Sequence, residues 1–414
     1  MTARPILSIL IPTRNRAFYL KYAIQSALNI ADSNIEILVS ENHSSDNSRE
    51  VCAGFQDPRL TILRPQKPLP MHKNWELLLG KASGEWVYFL GDDDAIMPHA
   101  ASHLQYLTEK YPQCEAIVSP RAYYFWPADR TKSDRTVKVS FGIEENWIDS
   151  KLQMRKCLEG KINYLDLPQL YSGGFQRRTL VNRVRNSQNN IYFKSVIPDA
   201  YSAVMGCAHT FRYLNIHMPL AWVGTSDASR KHQQSLSIKD RVADFWGMHD
   251  EDDLVMHRAL GNLRDYTFTL AFFEAYISAI PTTSMWDLSM EKVQQLYLDS
   301  VKKFRASGNE KAVQDLGSYL GFSPPSLKLS KSEFLHSTIA NCGRWISSRA
   351  GMLLVKLNRR LRKDRLGSAV TFSSIESNCP DQYPNILSCD EEIADAYSKW
   401  QYFGFANDHD RIRI

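Results

Sequence analysis

Short continuous apolar runs and amphipathic stretches alternate along the first 120 residues. ILSILI (6–11) is β-branched and apolar throughout, the pattern of a strand covered on both faces. IEILVS (35–40), LTIL (60–63), WVYFL (86–90) and EAIVS (115–119) read as further strands. Between them lie helical periods. In AFYLKYAIQSAL (17–28), Leu20, Ala23, Ile24, Ala27 and Leu28 share one face. SSDNSREVCAGF offers Ser44 or Ser45 as a cap, with Asp46 in the first turn. MHKNWELLLGKA and PHAASHLQYLTEKY are the next two helices, the second opened by Pro98.

Strand–helix alternation at this spacing predicts βαβ units and an α/β fold with a mainly parallel sheet flanked by helices. Ligands of such sheets sit outside the carboxyl ends of the strands. Three polar clusters follow strands there: PTRNR (12–16), SENHSSD (40–46) and GDDD (91–94). They are predicted to converge on one crevice.

From 120 to 240 the pattern is irregular. It holds an aromatic-rich loop, RAYYFWPADR, a helix near GGFQRRTLVNRVR, the stretch IPDAYSAVMGCAHTF and a strand within YLNIHMPLAWVG. Beyond 240 the chain reads as mostly helical, with Trp246, Phe268, Phe272, Phe273, Tyr276 and Trp286 as core candidates. GFSPPSLKLSKS (321–332) has linker composition. These shifts divide the chain into a first domain at 1–238, with a change of pattern near 120, a helical region at 239–322 and a C-terminal extension at 323–414.

The 414 residues are 43% hydrophobic and 23% charged, which fits two or three globular domains. A net charge of +5 is mild on this length and gives no reason to expect nucleic acid as a partner. Seven cysteines without CxxC or regular spacing indicate neither a disulfide framework nor a zinc ribbon, and fit a reducing compartment. The apolar run at the N-terminus is broken by Ser8 and Pro12, so it reads as a strand rather than a signal peptide. No run approaches the ~20 apolar residues of a spanning helix. The expected location is cytoplasmic, with attachment at the inner face of a membrane as a further option.

Asp92, Asp93 and Asp94 follow a strongly apolar strand, which puts three repelling charges at a sheet rim. Such an arrangement suits a hard divalent cation, which binds one or two carboxylates and completes its shell with water and phosphate oxygens. The alternative is a solvated turn whose acids cap the next helix.

Taken together, ILSILIPTRNRAFYLKYAIQSAL, IEILVSENHSSDNS, HKNWELLLGKASGEWVYFLGDDDAIMP and IPDAYSAVMG resemble a family 2 glycosyltransferase of the GT-A fold over roughly residues 5–230. The resemblance implies a Rossmann-like sheet and sugar transfer from a nucleotide-diphosphate donor to an acceptor hydroxyl. It also implies Mn²⁺ or Mg²⁺, and a glycan or lipid-linked acceptor in bacterial surface polysaccharide or glycan synthesis. Pro12, Thr13, Arg14 and Asn15 then lie against the nucleoside, with Arg16 adding charge. Glu41 takes the base-contacting position, where the family more often has Asp. Lys73 and Asn74 approach the donor, whereas Trp75 is core packing. Asp94 best fits the metal ligand and Asp92 the ribose or a second metal contact. Asp93 is divided between a donor contact and a structural role.

An inverting transfer also needs a base for the acceptor proton. Asp199, after Pro198 in VIPDAYSAVMG, is the matching acid, and an N-cap carboxylate is its plainer alternative. In SGGFQRR, Gly173 and Gly174 allow close backbone approach to a sugar. In GTSDASRKHQQS, Arg230 can close over the diphosphate and His232 is a candidate third metal ligand. The stretch 344–365 sets Ile346, Leu353, Leu357 and Leu361 against Arg349, Lys356, Arg359 and Lys363. That is a basic amphipathic helix, suited either to an anionic membrane surface or to packing on the protein. Two competing readings are a nucleotidyltransferase, whose glycine-rich basic first loop is missing from PTRNR, and a degenerate module that only binds a glycan or a partner.

Overall fold

The computed structural model describes residues 4–126, 137–158, 161–226, 275–276, 278–279, 314, 371–377 and 386–389. All of these except Gln314 belong to one of the two compact units into which the chain divides. Arg230, His232, the amphipathic stretch 344–365, the 321–332 linker and most of the helical region lie outside the described residues. Of the late core candidates Tyr276 is described, and it is buried.

The N-terminal half forms as its pattern dictates. β1 (Leu7–Thr13), β2 (Ile35–Glu41), β3 (Leu60–Leu63) and β4 (Trp86–Phe89) pair in parallel, in the order β3-β2-β1-β4. Their connections are α1 (Ala17–Leu28), α2 (Ser48–Ala53) and α3 (Met71–Lys81). Every residue of β4 is buried, as a central strand covered on both faces requires. The predicted apolar stripe of α1 is realised, with Leu20, Ala23, Ile24 and Ala27 buried.

Beyond β4 the sheet becomes mixed. β10 (Gly174–Arg177) inserts antiparallel between β4 and β6 (Ala116–Val118), and β11 (Arg212–Ile216) and β9 (Glu145–Asp149) complete eight strands. The helix expected near GGFQRRTLVNRVR is therefore a strand followed by α6 (Arg178–Asn186). Gly173 explains the strand: its φ of +89° turns the chain onto the sheet, where a Cβ would lie 2.8 Å from Ser119 O. Gly173 thus packs against Ser119, just after β6, and Gly174 against the backbone of Gln169.

A second sheet of five strands runs β13-β8-β7-β12-β5. β5 (Ala95–Ile96) continues directly from the acidic cluster, and β7 (Ala122–Phe125) replaces the expected aromatic loop. β8 (Val137–Gly142), β12 (Ala221–Thr225) and β13 (Thr371–Ser377) complete it. The predicted strand in YLNIHMPLAWVG is two strands, β11 and β12, in different sheets. Three helices remain: α4 (Ala100–Lys110), α5 (Ser150–Leu158) and α7 (Pro198–His209). No helix among the described residues is long and apolar enough to cross a membrane.

Candidate active site

Parallel pairing brings the ends of β1, β2 and β4 to one rim, as the three polar clusters predict. The loops after β1 and β2 are stitched together there. Ser45 N donates to Asn15 Oδ1 (2.7 Å), Asn15 N to Ser44 Oγ (3.0 Å) and Asn42 N to Thr13 O (3.0 Å). Asp46 caps α1 rather than serving α2 alone: Ala17 N donates to its Oδ2 at 2.9 Å. A carboxylate at that helix start is favoured by the exposed amides and the dipole. Thr13 Oγ1 then reaches across to Asp92 Oδ2 (2.9 Å), and Arg16 Nε lies 4.0 Å from Asp92 Oδ1. Thr13 and Arg16 thus line one side of the acidic cluster.

The three carboxylates are separated by their partners. Asp93 turns toward β12: its Oδ2 accepts from Ser226 Oγ, and its carbonyl accepts from Trp126 Nε1 at 2.8 Å. Asp94 is fully buried, and its Oδ1 accepts from Gly224 N at 2.7 Å. Asp94 Oδ2 is buried, and the Tyr171 hydroxyl acts on this carboxylate as a hydrogen-bond donor. That oxygen faces the open side of Gly91, where a Cβ would lie 2.5 Å from it and 2.8 Å from the Tyr171 hydroxyl. Burial pushes the Asp94 carboxyl well above the usual carboxylate range, and the Asp93 charge adds to the rise. Burial also lifts Asp92 to about 7, against the opposing pull of Arg16. A buried carboxylate is costly unless donors, a proton or a cation satisfy it.

Other predicted residues occupy varied positions. Glu41 is 2% exposed; its Oε1 accepts from Ser44 N (2.6 Å) and its Oε2 faces Arg64 Nε at 3.3 Å. Asn74 is buried and accepts from Ser40 Oγ (2.6 Å), which ties α3 to β2. Lys73, Pro12 and Arg14 are half-buried and Asn15 is exposed. Trp75 packs in the core, stacked on Phe89 with centroids 4.1 Å apart.

Asp199 stands in the first turn of α7, behind Pro198. Its Oδ2 accepts from the Tyr164 hydroxyl at 2.9 Å. Burial raises its carboxyl above the ordinary value, and the Tyr164 bond opposes that rise. A relay of hydrogen bonds links this acid to β4. Phe89 N donates to Leu170 O (3.0 Å), Leu170 N to Ser202 Oγ (3.0 Å) and Ser202 Oγ to Asp199 O (2.8 Å). The segment 164–171 therefore touches both acidic sites, Tyr164 at Asp199 and Tyr171 beside Asp94. Neither tyrosine is legible from periodicity or charge. The only sequence signal is an aromatic at each end of YLDLPQLY.

Residues 8–166 match the model of glycosyl transferase family 2. Over that stretch the chain is similar to the family. A beta-1,3-glucosyltransferase of Campylobacter jejuni, named for GalNAc(5)-diNAcBac-PP-undecaprenol, is 39% identical over 104 residues, which is 24% of this chain and 33% of the relative. An uncharacterized glycosyltransferase of Rickettsia typhi is 29% identical over 67% of this chain and 87% of its own length. Among solved structures, S. aureus TarS 1-349 in complex with UDP-GlcNAc is similar with a TM-score of 0.42 and 13% identity, covering 82% of this chain and 91% of that one. The chain spans about a third of the length of the first curated relatives it matches, at 33%, 37% and 34%.

Proposed function

We propose that the protein is a metal-dependent, inverting glycosyltransferase that moves a sugar from a nucleotide-diphosphate donor to an acceptor hydroxyl. The observation that carries this reading is the pair of acids after β4: Asp92, half-buried and met by Thr13 and Arg16 of the loop that the family resemblance assigns to the nucleoside, and Asp94, fully buried beside Gly91. The donor set fits a hard cation: carboxylate oxygens, with water and phosphate oxygens to complete the shell. Among the described residues no group of three His, Cys, Asp or Glu could hold a metal by itself. Asp94 would hold Mn²⁺ or Mg²⁺ with Asp92 beside it, and the ion would supply charge neutralisation of the leaving diphosphate.

The remaining chemistry belongs to the chain. The acceptor oxygen attacks the anomeric carbon as the bond from that carbon to the diphosphate oxygen breaks. The nucleoside diphosphate leaves with the electron pair, and Asp199 takes the hydroxyl proton. Thr13 and Arg16 hold Asp92 in place. The name of the Campylobacter relative supports a lipid-linked saccharide as the acceptor class.

Calorimetric titration with Mn²⁺ in the presence of UDP, GDP or dTDP tests the metal site. With the preferred nucleotide, Asp94→Asn should weaken Mn²⁺ binding by at least about 100-fold. Because the raised carboxyls of Asp92 and Asp94 hold protons that a cation must displace, wild-type affinity should rise from about pH 6 to about pH 8. Equal Mn²⁺ binding by wild type and variant would remove Asp94 from the site.

A further inference from the structure

Tyr164 opens a short 3₁₀ turn, Tyr164–Asp166, between α5 and β10. The turn is closed by its own sequence. Leu165 N donates to Asn163 Oδ1 (3.0 Å), and Asn163 N donates back to Asp166 Oδ2 (3.3 Å). It is also fixed from outside. Arg121 donates to Asp166 Oδ1 (2.8 Å) and to Leu165 O (2.7 Å), and the Tyr213 hydroxyl donates to Asp166 O (2.8 Å). Tyr164 itself is 4% exposed. Its ring has little freedom, and its hydroxyl is delivered to Asp199 Oδ2.

On the other side, Pro198 sets the start of α7 and Ser202 holds the Asp199 carbonyl. Backbone and side chain of Asp199 are thus fixed by different elements. Among the described residues, Tyr164 is the one side chain that donates to the Asp199 carboxylate. The other groups that act on it are the backbone amides of Ala200 and of Asp199 itself, and no charged side chain contributes. For an acid that must take a proton from a hydroxyl, such an arrangement is useful. A phenol cannot neutralise the carboxylate, but it fixes one of its oxygens.

We propose that Tyr164 is the positioning residue for Asp199: it anchors the carboxylate through Oδ2 so that Oδ1 faces and takes the acceptor's proton. The phenol keeps its own proton throughout, and the acceptor proton ends on Oδ1. This inference rests on the reading of Asp199 as the base.

The test uses the full chain and the donor that the wild type turns over best among UDP-, GDP- and dTDP-sugars, with nucleoside diphosphate release as the readout. Tyr164→Phe should lower kcat about 10-fold with the donor KM unchanged. It should also move the acid limb of the kcat/KM profile to higher pH, because a bond that holds the carboxyl down is lost. Incorporating 3-fluorotyrosine at position 164 keeps the packing and strengthens the donor, so the limb should move to lower pH. This second arm decides the matter if Tyr164→Phe does not fold. An acid limb unmoved in either folded protein overturns the positioning role, and leaves Tyr164 as a tie between the turn and α7. Wild-type turnover by Asp199→Asn would instead overturn the base assignment itself.

Discussion

Asp199→Asn should lower kcat by about 10²- to 10⁴-fold, the usual worth of a positioned general base. The donor KM should change little, because Asp199 lies on α7 and the nucleotide-contacting loops lie after β1 and β2. The amide is isosteric and its oxygen still accepts from Tyr164, so the turn at Tyr164–Asp166 and the fold should survive. Wild-type activity needs the ionised carboxylate. Burial raises its pKa, so activity should fall on acidification at a pH above the ordinary carboxylate range. The variant should lose that acid limb along with its rate. Steady-state kinetics across pH, with the heat-unfolding midpoint measured alongside, separates lost chemistry from lost structure.

The largest effect on stability is expected at Gly224, far in sequence from the acids it serves. A Cβ there would lie 1.7 Å from Asp93 O and 2.7 Å from Trp126 Nε1. Neither neighbour can yield cheaply, since the first is backbone and the second is a buried indole that donates to that same carbonyl. Gly224→Ala should therefore cost about 3 kcal/mol through overpacking and a lost buried hydrogen bond. In a domain of this size that lowers the midpoint by about 6–12 °C. Because Gly224 N holds Asp94 Oδ1, Mn²⁺ affinity should fall with it. Gly80→Ala is the control. Nothing lies within 4 Å of a Cβ at that helical position, and alanine there should be neutral or stabilising by up to about 1 kcal/mol. Equal midpoints for Gly224→Ala and wild type would show that β12 does not clamp the acidic turn as described.

The parallel half of the sheet and the three loops at its rim were legible because local pattern decides them. Runs such as ILSILI and WVYF can only be buried strands, and polar residues at their ends have one rim to occupy. The antiparallel β10 was hidden because its four residues adjoin a strong helical period, and only its contacts with β4 and β6 make it a strand. Likewise YYF in the aromatic stretch gives no loop-or-strand preference until β12 pairs with it. The different surroundings of three identical aspartates were beyond local reading too. Gly224, Ser226 and Trp126, which sort them, lie 33–133 residues away along the chain. The same holds for Tyr164 and Asp199, 35 residues apart and joined only by the fold. Lys73 and Asn74 share one helix, and the side-chain oxygen of Asn74 accepts from Ser40, a contact no spacing rule reveals.

The most direct test of the central claim is nucleoside diphosphate release from a panel of UDP-, GDP- and dTDP-sugars. Wild type and Asp94→Asn are compared with Mn²⁺ and after its removal by EDTA. The account predicts turnover of at least one donor by the wild type, lost on chelation, restored by added Mn²⁺, and absent from the variant. Turnover by the wild type that is unaffected by chelation, or full turnover by Asp94→Asn, would contradict it.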